Sequence, residues 1–507
     1  MKIINQLKTG AILSYLQIFV TAIIGIVYTP IMLRYLGSSE FGVYSLCTSI
    51  IGYLTLLNFG FSGAYIRYYS LFRVENDSNK IKNLNGMFFL IFMIIGISIL
   101  FLGTILSFRI NDILGNKFND EELVLAKTLL FIMTINVAIV MPSSVFSSFV
   151  AAHEEFVFLR GIDLIKVICN PIITLPLLMI GYRSIAVILV TTFLTIVAFL
   201  INIWFCIKKI KVELSFKQMD FVLLKDIFWF SFFIFLQSIM DKLNWEINKF
   251  IVGRYCGSIA VAIYSIGTFF NMMFIQFSTA ISNVFIPRVN KLVAENQGNE
   301  IISSLFAKVA RIQFIIIFYV FSAFVFLGEK FILFWVGSGY ENSYIIALLL
   351  MSPILLALTQ NLGIEIVRAK KIHKAINMIY VAFCIISVII TIPLTQRYNE
   401  IGGAIGTCIT MFVSQLIVAN LYFHYVAKID IKLYFQQIFK FIPATILPCM
   451  VGSFILFQVS IATVFDLVAY GSTYTVIYFF SYWLLGMNQY EKGLVYSLLN
   501  KFKKIRR

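Results

Sequence analysis

Residues 236–254 read LQSIMDKLNWEINKFIVGR, a membrane-length stretch interrupted by Asp241, Lys242, Glu246 and Lys249. Placed on a helix at 100° per residue, Gln237, Asp241, Asn244 and Asn248 share one face, and Lys242, Glu246 and Lys249 fall on the face beside it. Leu236, Ile239, Met240, Leu243, Ile247, Phe250 and Ile251 take what remains. An ionised group held against lipid at mid-helix costs roughly 2.5 to 3.5 kcal/mol, whereas each Leu or Ile returns only about 0.3 to 0.6. The polar side must therefore face protein or water. Two readings stay open. Lys242 with Glu246 (i,i+4) and Glu246 with Lys249 (i,i+3) can form a structural ion network inside a bundle. Alternatively the charges belong to a transport path, the usual reason for charge within a membrane. Asp241 favours the second reading, because no cation stands three or four positions after it.

The rest of the chain sets the context. Of 507 residues, 60% are hydrophobic and 13% charged, and the mean hydropathy is +0.92. These values exclude a soluble globular protein and predict an all-α integral membrane protein of about fourteen spans. The apolar region of the first span, residues 11–33, is too long for a signal peptide and lacks a small-residue cleavage site, so it is expected to stay attached. Most of the 40 Lys and Arg residues gather in segments on the side of the two termini, which predicts both termini in the cytoplasm of a multi-pass cell-membrane protein. The net charge of +16 is then topological. Nucleic acid is not an expected partner, and the tail KFKKIRR suits anionic membrane lipid. Seven scattered cysteines show no metal spacing, and His153, His373 and His424 stand apart, so packing roles and no metal are expected.

An internal repeat organises the spans. Leu16, Gln17, Arg34, Tyr35, Gly37, Ser38, Tyr44, Ser45 and Thr48 recur without a gap as Leu236, Gln237, Arg254, Tyr255, Gly257, Ser258, Tyr264, Ser265 and Thr268. Six spans separate the copies, so both halves should enter the membrane in the same direction, with substrate between them. The copies are chemically unequal: Thr21, Ala22, Ile26 and Thr29 stand where the second has Asp241, Lys242, Glu246 and Lys249. The expected parts are a six-helix lobe over 1–210, a basic linker over 211–225 whose KVELSFKQ core suits the bilayer surface, and a second six-helix lobe over 226–427. Two further helices and a basic tail fill 428–507.

Fewer signals lie elsewhere. Asp163 and Lys166 form a candidate structural pair, Asn170-Pro171 a candidate kink, and Asp466 a solvated outer carboxylate. Gln360, Asn361, Glu365 and Arg368 cover one side of the tenth span's inner end, with Glu365 the member left for function once Arg368 marks the interface. No P-loop, loop-borne pair of catalytic carboxylates or nucleophile elbow is present, and no outward loop is long enough for a folded domain, so no enzyme is expected.

The opening LKTGAILSYLQIFVTAIIGIVYTPIMLRYLGSSEFGVYSL, followed by LLNFGFSGAYIRYYSLFR and by RGIDLIKVICNPIITLPLLMIGYRSIAVILVTT, resembles the polysaccharide-transport branch of the multidrug/oligosaccharidyl-lipid/polysaccharide exporter superfamily. The resemblance implies two repeat-related six-helix lobes around a central cavity lined by the first and seventh helices. It also implies a flippase that moves a lipid-linked oligosaccharide, usually on undecaprenyl pyrophosphate, to the outer leaflet, alongside polysaccharide assembly enzymes. On that reading Arg34, Arg67 and Arg254 are candidate phosphate contacts, with Lys242 and Lys249 as deeper point charges and Gln237, Asn244 and Asn248 as polar lining. The alternative is a cation-coupled multidrug exporter of the same superfamily, in which Asp241, Glu246 and Glu365 would bind Na+ or H+. No other cofactor is expected.

Overall fold

The computed structural model describes the backbone of residues 2–216 and 221–505. Side chains of 2–5, 7, 8, 221, 230, 233, 234, 236, 237, 240, 241, 244 and 498–505 lie outside the described residues, and with them the sequence expectations for Gln237, Asp241, Asn244 and the basic tail. All regular structure among the described residues is helical, in two compact units, Met1–Ala262 and Ile263–Arg507. The first holds α1 (Lys2–Leu54), α2 (Phe61–Val74), α3 (Ser78–Phe108), α4 (Ile110–Leu114), α5 (Asp120–Ala152), α6 (Phe156–Ile180), α7 (Arg183–Phe205), α8 (Phe221–Trp245) and α9 (Ile247–Cys256). α10 (Ser258–Ala294) begins in it and continues into the second unit. There follow α11 (Asn299–Val336), α12 (Glu341–Thr359), α13 (Asn361–Ala369), α14 (His373–Met411), α15 (Ala419–Tyr425), α16 (Ile431–Phe439), α17 (Ile442–Gln458), α18 (Val464–Ser481) and α19 (Gln489–Ile505).

The helices wear their apolar surface outward. On α3 Ile94, Ile97, Phe101, Ile105 and Phe108 are exposed, and on α7 Leu189, Phe193, Ile196, Leu200 and Trp204. Steps of three and four place each set on a single stripe, and stripes of this size face lipid. Nine helices among the described residues are long and apolar enough to cross a membrane, ten if the bent pair Ile431–Phe439 and Ile442–Gln458 is one span. Two of the nine, of 66 and 53 residues, far exceed the roughly 20 residues of a single crossing. Each turns back, the first at Gly37 (φ 76°) and the second at Tyr398 and Asn399 (φ 51°). Exposed helix starts are closed by side chains, with capping boxes of Asn119 with Glu122 and Thr463 with Asp466. The Thr463 backbone N–H holds the exposed Asp466 carboxyl below the usual carboxylate range.

The backbone extends the repeat beyond the loops where the residues match. Gly37 and Gly257 (φ 76° and 90°) and Asn76 and Asn296 (φ 56° and 51°) are left-handed turns, each pair 220 positions apart. Glu154 and Lys371, then Lys211 and Lys428, continue the series at an interval of 217. The copies differ at two places. α10 runs unbroken where the first copy has a tight turn over Thr55–Asn58 and left-handed Phe59 and Gly60. α1 runs unbroken through residues 25 and 26, where the second copy is interrupted at Glu246.

In the first unit α5 is the hub, packed against α1, α2, α3 and α7. Residues 211–216 dock on α3: the Ser215 N–H donates to the Lys82 carbonyl, Asn85 Nδ2 to the Glu213 carbonyl, and Lys82 pairs with Glu213. A side chain at Gly86 would collide with the Ser215 carbonyl, which keeps that position glycine. Asp163 pairs with Arg160 at 3.6 Å and not with Lys166, because the arginine one turn back reaches it first. His153, at the end of α5, has Nδ1 2.8 Å from the Phe149 carbonyl and Nε2 2.7 Å from the Tyr69 hydroxyl. A carbonyl only accepts, so Nδ1 carries the proton, and burial pushes the imidazole pKa down.

In the second unit α11 is the hub, packed against α12, α16, α17 and α18. Tyr474, Tyr478 and Tyr482 recur every four residues along α18 and the turn that follows it, and all are fully buried. The first two hydroxyls donate to Ser322 Oγ and the Ile315 carbonyl of α11. Arg311, which the sequence groups with cations at the cytoplasmic edge, is 4% exposed. Its Nε and Nη2 donate to the Glu491 carboxylate at 2.6 and 2.9 Å, its remaining bonds reach the Gln437 and Gly486 carbonyls, and it lies over the Phe441 ring. One guanidinium thus ties α11 to the ends of α16 and α18 and the start of α19. Removing one member of a buried pair costs about 3 to 5 kcal/mol, because the other is left charged and alone. Glu491→Leu should therefore lower the thermal midpoint in detergent more than Arg311→Met with Glu491→Leu together, and the reverse order would show that the carbonyl contacts dominate.

Candidate functional site

The two departures from the repeat both lie in the first unit. In the arm of α1 beyond Gly37 the chain leaves the helix at Thr55, passes through Phe59 (φ 50°) and Gly60 (φ 71°), and resumes as α2. Opposite, Glu246 stands at the N-cap of α9 with φ −107°. The Phe59 ring stacks on Phe235 of α8 at 4.1 Å. Between the turn and α8 lies a cavity of about 340 Å3 lined by Thr55, Leu56, Asn58, Phe59, Gly60, Ser238 and Lys242. The buried Asn58 Oδ1 has no partner among the described residues, nor has the Tyr53 hydroxyl. A lysine therefore shares the cavity with an amide oxygen whose hydrogen bonding is unmet.

The charges of residues 236–254 are arranged differently from a single wheel. The interruption is one residue wide, since the Glu246 N–H still reaches the Lys242 carbonyl at 2.9 Å. It is enough to divide the expected ion network. Glu246 lies 3.3 Å from Lys249 and accepts a 2.7 Å bond from Ser49 Oγ, but forms no ion pair with Lys242. Across a kink the i,i+4 spacing no longer sets side chains one above the other. Lys242 extends instead toward α1, where a Cβ added at Gly52 would stand 3.1 Å from Nζ. Ser49 and Gly52, one turn apart on α1, thus face Glu246 and Lys242 respectively. Asn248 is buried at 2% exposure.

The arginines divide into two environments. Arg67 is exposed on α2, 5.8 Å from the Tyr68 ring. Arg34 is exposed three residues before the Gly37 turn. Its repeat partner Arg254 is half-buried and donates through Nη1 to the carbonyls of Asp112 and Ile113 in α4. The two copies of the loop that follows these arginines converge on Glu122, whose Oε1 accepts from both Ser39 and Ser258. Any side chain at Gly42 would strike the Ser258 carbonyl, so the contact is close. Glu365, on α13 in the second unit, pairs with Arg368 at 2.7 Å. No cluster of metal-ligating side chains occurs among the described residues.

Glu122, Ser49 and the turn over residues 55–60 carry no warning in the sequence reading. The only available signal is LLNFGFSG, where Gly60 follows an Asn within an apolar run, the usual mark of a turn.

Comparison with known proteins agrees with this architecture. A Staphylococcus aureus protein named capsular polysaccharide biosynthesis protein CapF is 26% identical over 232 residues, which span 44% of this chain and 56% of that relative. A Shigella flexneri protein named as an O-antigen transporter is 20% identical over 77% of this chain and 91% of its own length. Among solved structures, the lipid II flippase MurJ in an inward closed conformation superposes with a TM-score of 0.72 over 93% of this chain and 98% of its own, at 17% identity. An inward-facing multidrug resistance transporter of the MATE family and MOP superfamily gives a TM-score of 0.64 over 79% and 93%, at 12% identity. At these identities the solved structures establish a shared fold. The sequence model of the polysaccharide biosynthesis protein family matches residues 31–345, more than half of the chain, and the protein belongs to that family.

Proposed function

We propose that the protein is a flippase, without enzymatic chemistry of its own, that carries a lipid-linked oligosaccharide with an anionic phosphate head from the cytoplasmic to the outer leaflet. The observation that carries this reading is the lysine at the paired interruptions. Lys242 lines a cavity between the irregular segment Thr55–Gly60, which joins α1 to α2, and α8, all in the first unit. Interrupted helices that line a polar cavity are where transporters bind substrate and ions. A cationic side chain there attracts a phosphate group and repels a cationic drug. The names of the family relatives, a capsular polysaccharide biosynthesis protein and an O-antigen transporter, fit the same substrate class.

On this proposal the carrier lipid is undecaprenyl pyrophosphate, both termini are cytoplasmic, and lobes over 1–210 and 226–427 precede two further helices over 428–507. Arg67 then meets the phosphates at the inner side, and Arg34 and Arg254 at the outer side. Arg254 keeps Nε and Nη2 for that purpose, because only Nη1 is engaged by α4. Lys249 is partly neutralised by Glu246, which leaves Lys242 as the stronger anion contact.

A second reading has one observation behind it. Glu246 is a half-buried carboxylate in the membrane, and the fold is shared with a multidrug transporter. Cation coupling through Asp241, Glu246 or Glu365, with Na+ or H+ as the ion, is compatible with either substrate. Uptake of a lipid-linked sugar against a cationic dye in proteoliposomes separates the two readings. The flippase reading fails if the dye moves and the lipid-linked sugar does not.

Three variants test the assigned residues. Lys242→Leu, Glu246→Leu and Lys249→Leu together should give a stable protein that no longer flips, since an apolar wall cannot hold an anion; a fully active triple variant removes the lysines from the path. Arg67→Gln should slow flipping roughly tenfold at normal expression, the loss of one charge-assisted bond, with Lys restoring only part of the rate. Asp241→Asn should abolish the dependence of transport on a Na+ or H+ gradient. Wild-type transport indifferent to both gradients would return Asp241 to a structural role.

A further inference from the structure

The second unit carries a groove lined by none of the residues proposed for transport. It is lined by the end of α10 (Phe285, Arg288, Leu292), the start of α11 (Glu300 to Ile312) and Tyr490 of α19, and its volume is about 350 Å3. The first unit has a groove of about 400 Å3 at the repeat-related place, lined from α2, α3 and α8. Phe72, Lys80 and Leu84 of that groove stand 220 positions before Leu292, Glu300 and Ser304 of the other. The two are copies of one structural feature, so the differences between them are informative.

The differences are in charge. In the first groove Lys80 is held by Glu75 at 2.9 Å and Asp77 at 3.8 Å, and Asp226 adds a carboxylate. In the second, Arg288 and Lys308 both line the wall, in place of Tyr68 and the buried Phe88 of the first copy. Neither cation forms an ion pair among the described residues, and both are exposed. The Glu300 carboxylate is the one opposing charge in the lining, and the Ser304 and Tyr490 hydroxyls add donors. Beneath them Phe285, Leu292, Leu305, Val309 and Ile312 make an apolar floor. Two cations above an apolar floor, where two membrane helices end, match a phosphate headgroup whose acyl chains stay in the bilayer.

We infer that this groove binds an anionic phospholipid of the surrounding membrane, at a site separate from the transport path. Charge complementarity favours a lipid phosphate over a zwitterionic headgroup, and the apolar floor favours a lipid over free phosphate. The start of α19 forms one wall, so an occupied groove would also hold the C-terminal helix against α10 and α11.

The test uses the full-length protein in mixed micelles of phosphatidylcholine with increasing phosphatidylglycerol, with retained lipid counted by native mass spectrometry. Wild type should retain phosphatidylglycerol in preference to phosphatidylcholine. Arg288→Gln with Lys308→Gln should weaken that retention about 30-fold, the product of two interfacial cations. Lys80→Gln in the first groove should leave it unchanged, and inorganic phosphate at millimolar concentration should not displace the lipid. All these positions are exposed, so an unaltered thermal midpoint shows that each variant folds. Equal retention by wild type and the double variant overturns the site. So does displacement by inorganic phosphate, which would make the groove an anion site without a lipid. Because the readout is retained phospholipid and not flipping, neither result depends on what the protein transports.

Discussion

A helix interrupted inside a bilayer must find new partners for the backbone groups it frees, because lipid offers none. The departures from repeat symmetry in the first unit meet this constraint locally. The Phe59 N–H donates to the Leu56 carbonyl, Thr55 Oγ1 donates to the Gly52 carbonyl, and the Ala64 N–H returns to Gly60. At Glu246 the N–H keeps its i−4 partner, while the side chain leaves the helix line to meet Ser49 and Lys249. These backbone groups are paired, while the Asn58 Oδ1 and the Tyr53 hydroxyl have no partner among the described residues.

The fold class, the repeat and the interrupted hydropathy of residues 236–254 were legible in the sequence, because hydropathy and a gap-free self-match are properties of the chain alone. The arrangement within that stretch was not. A helical wheel assumes one uninterrupted helix, and a single non-ideal residue at Glu246 breaks the expected Lys242 to Glu246 pairing. The same limit hid Glu122, whose two serine partners come from loops far apart in the chain. Arg311 falls in a basic segment of the sequence, and nothing in a count by segment shows that a glutamate in α19 will cover it.

Unequal copies explain why one scaffold can support several tasks. Where the copies agree, at the left-handed turns of Gly37 and Gly257 or Asn76 and Asn296, the residues serve the chain's path. Where they differ, the chemistry changes: Ala22 against Lys242, Phe88 against Lys308, an unbroken α10 against the Thr55 turn. Interrupted segments are costly in lipid, and each copy carries one of its own, the Thr55 turn in the first and the Glu246 break in the second.

The bond between Arg311 and Glu491 also has a bearing on biogenesis. Its members are 180 residues apart in the chain. At about 5 to 20 residues per second, the ribosome adds the carboxylate roughly 10 to 40 s after the guanidinium. During that interval α11 holds a cation whose permanent counter-ion has not been made. The nascent chain must keep this end of the helix hydrated, or against the translocation machinery, until α19 arrives, so completion of the second unit waits on α19.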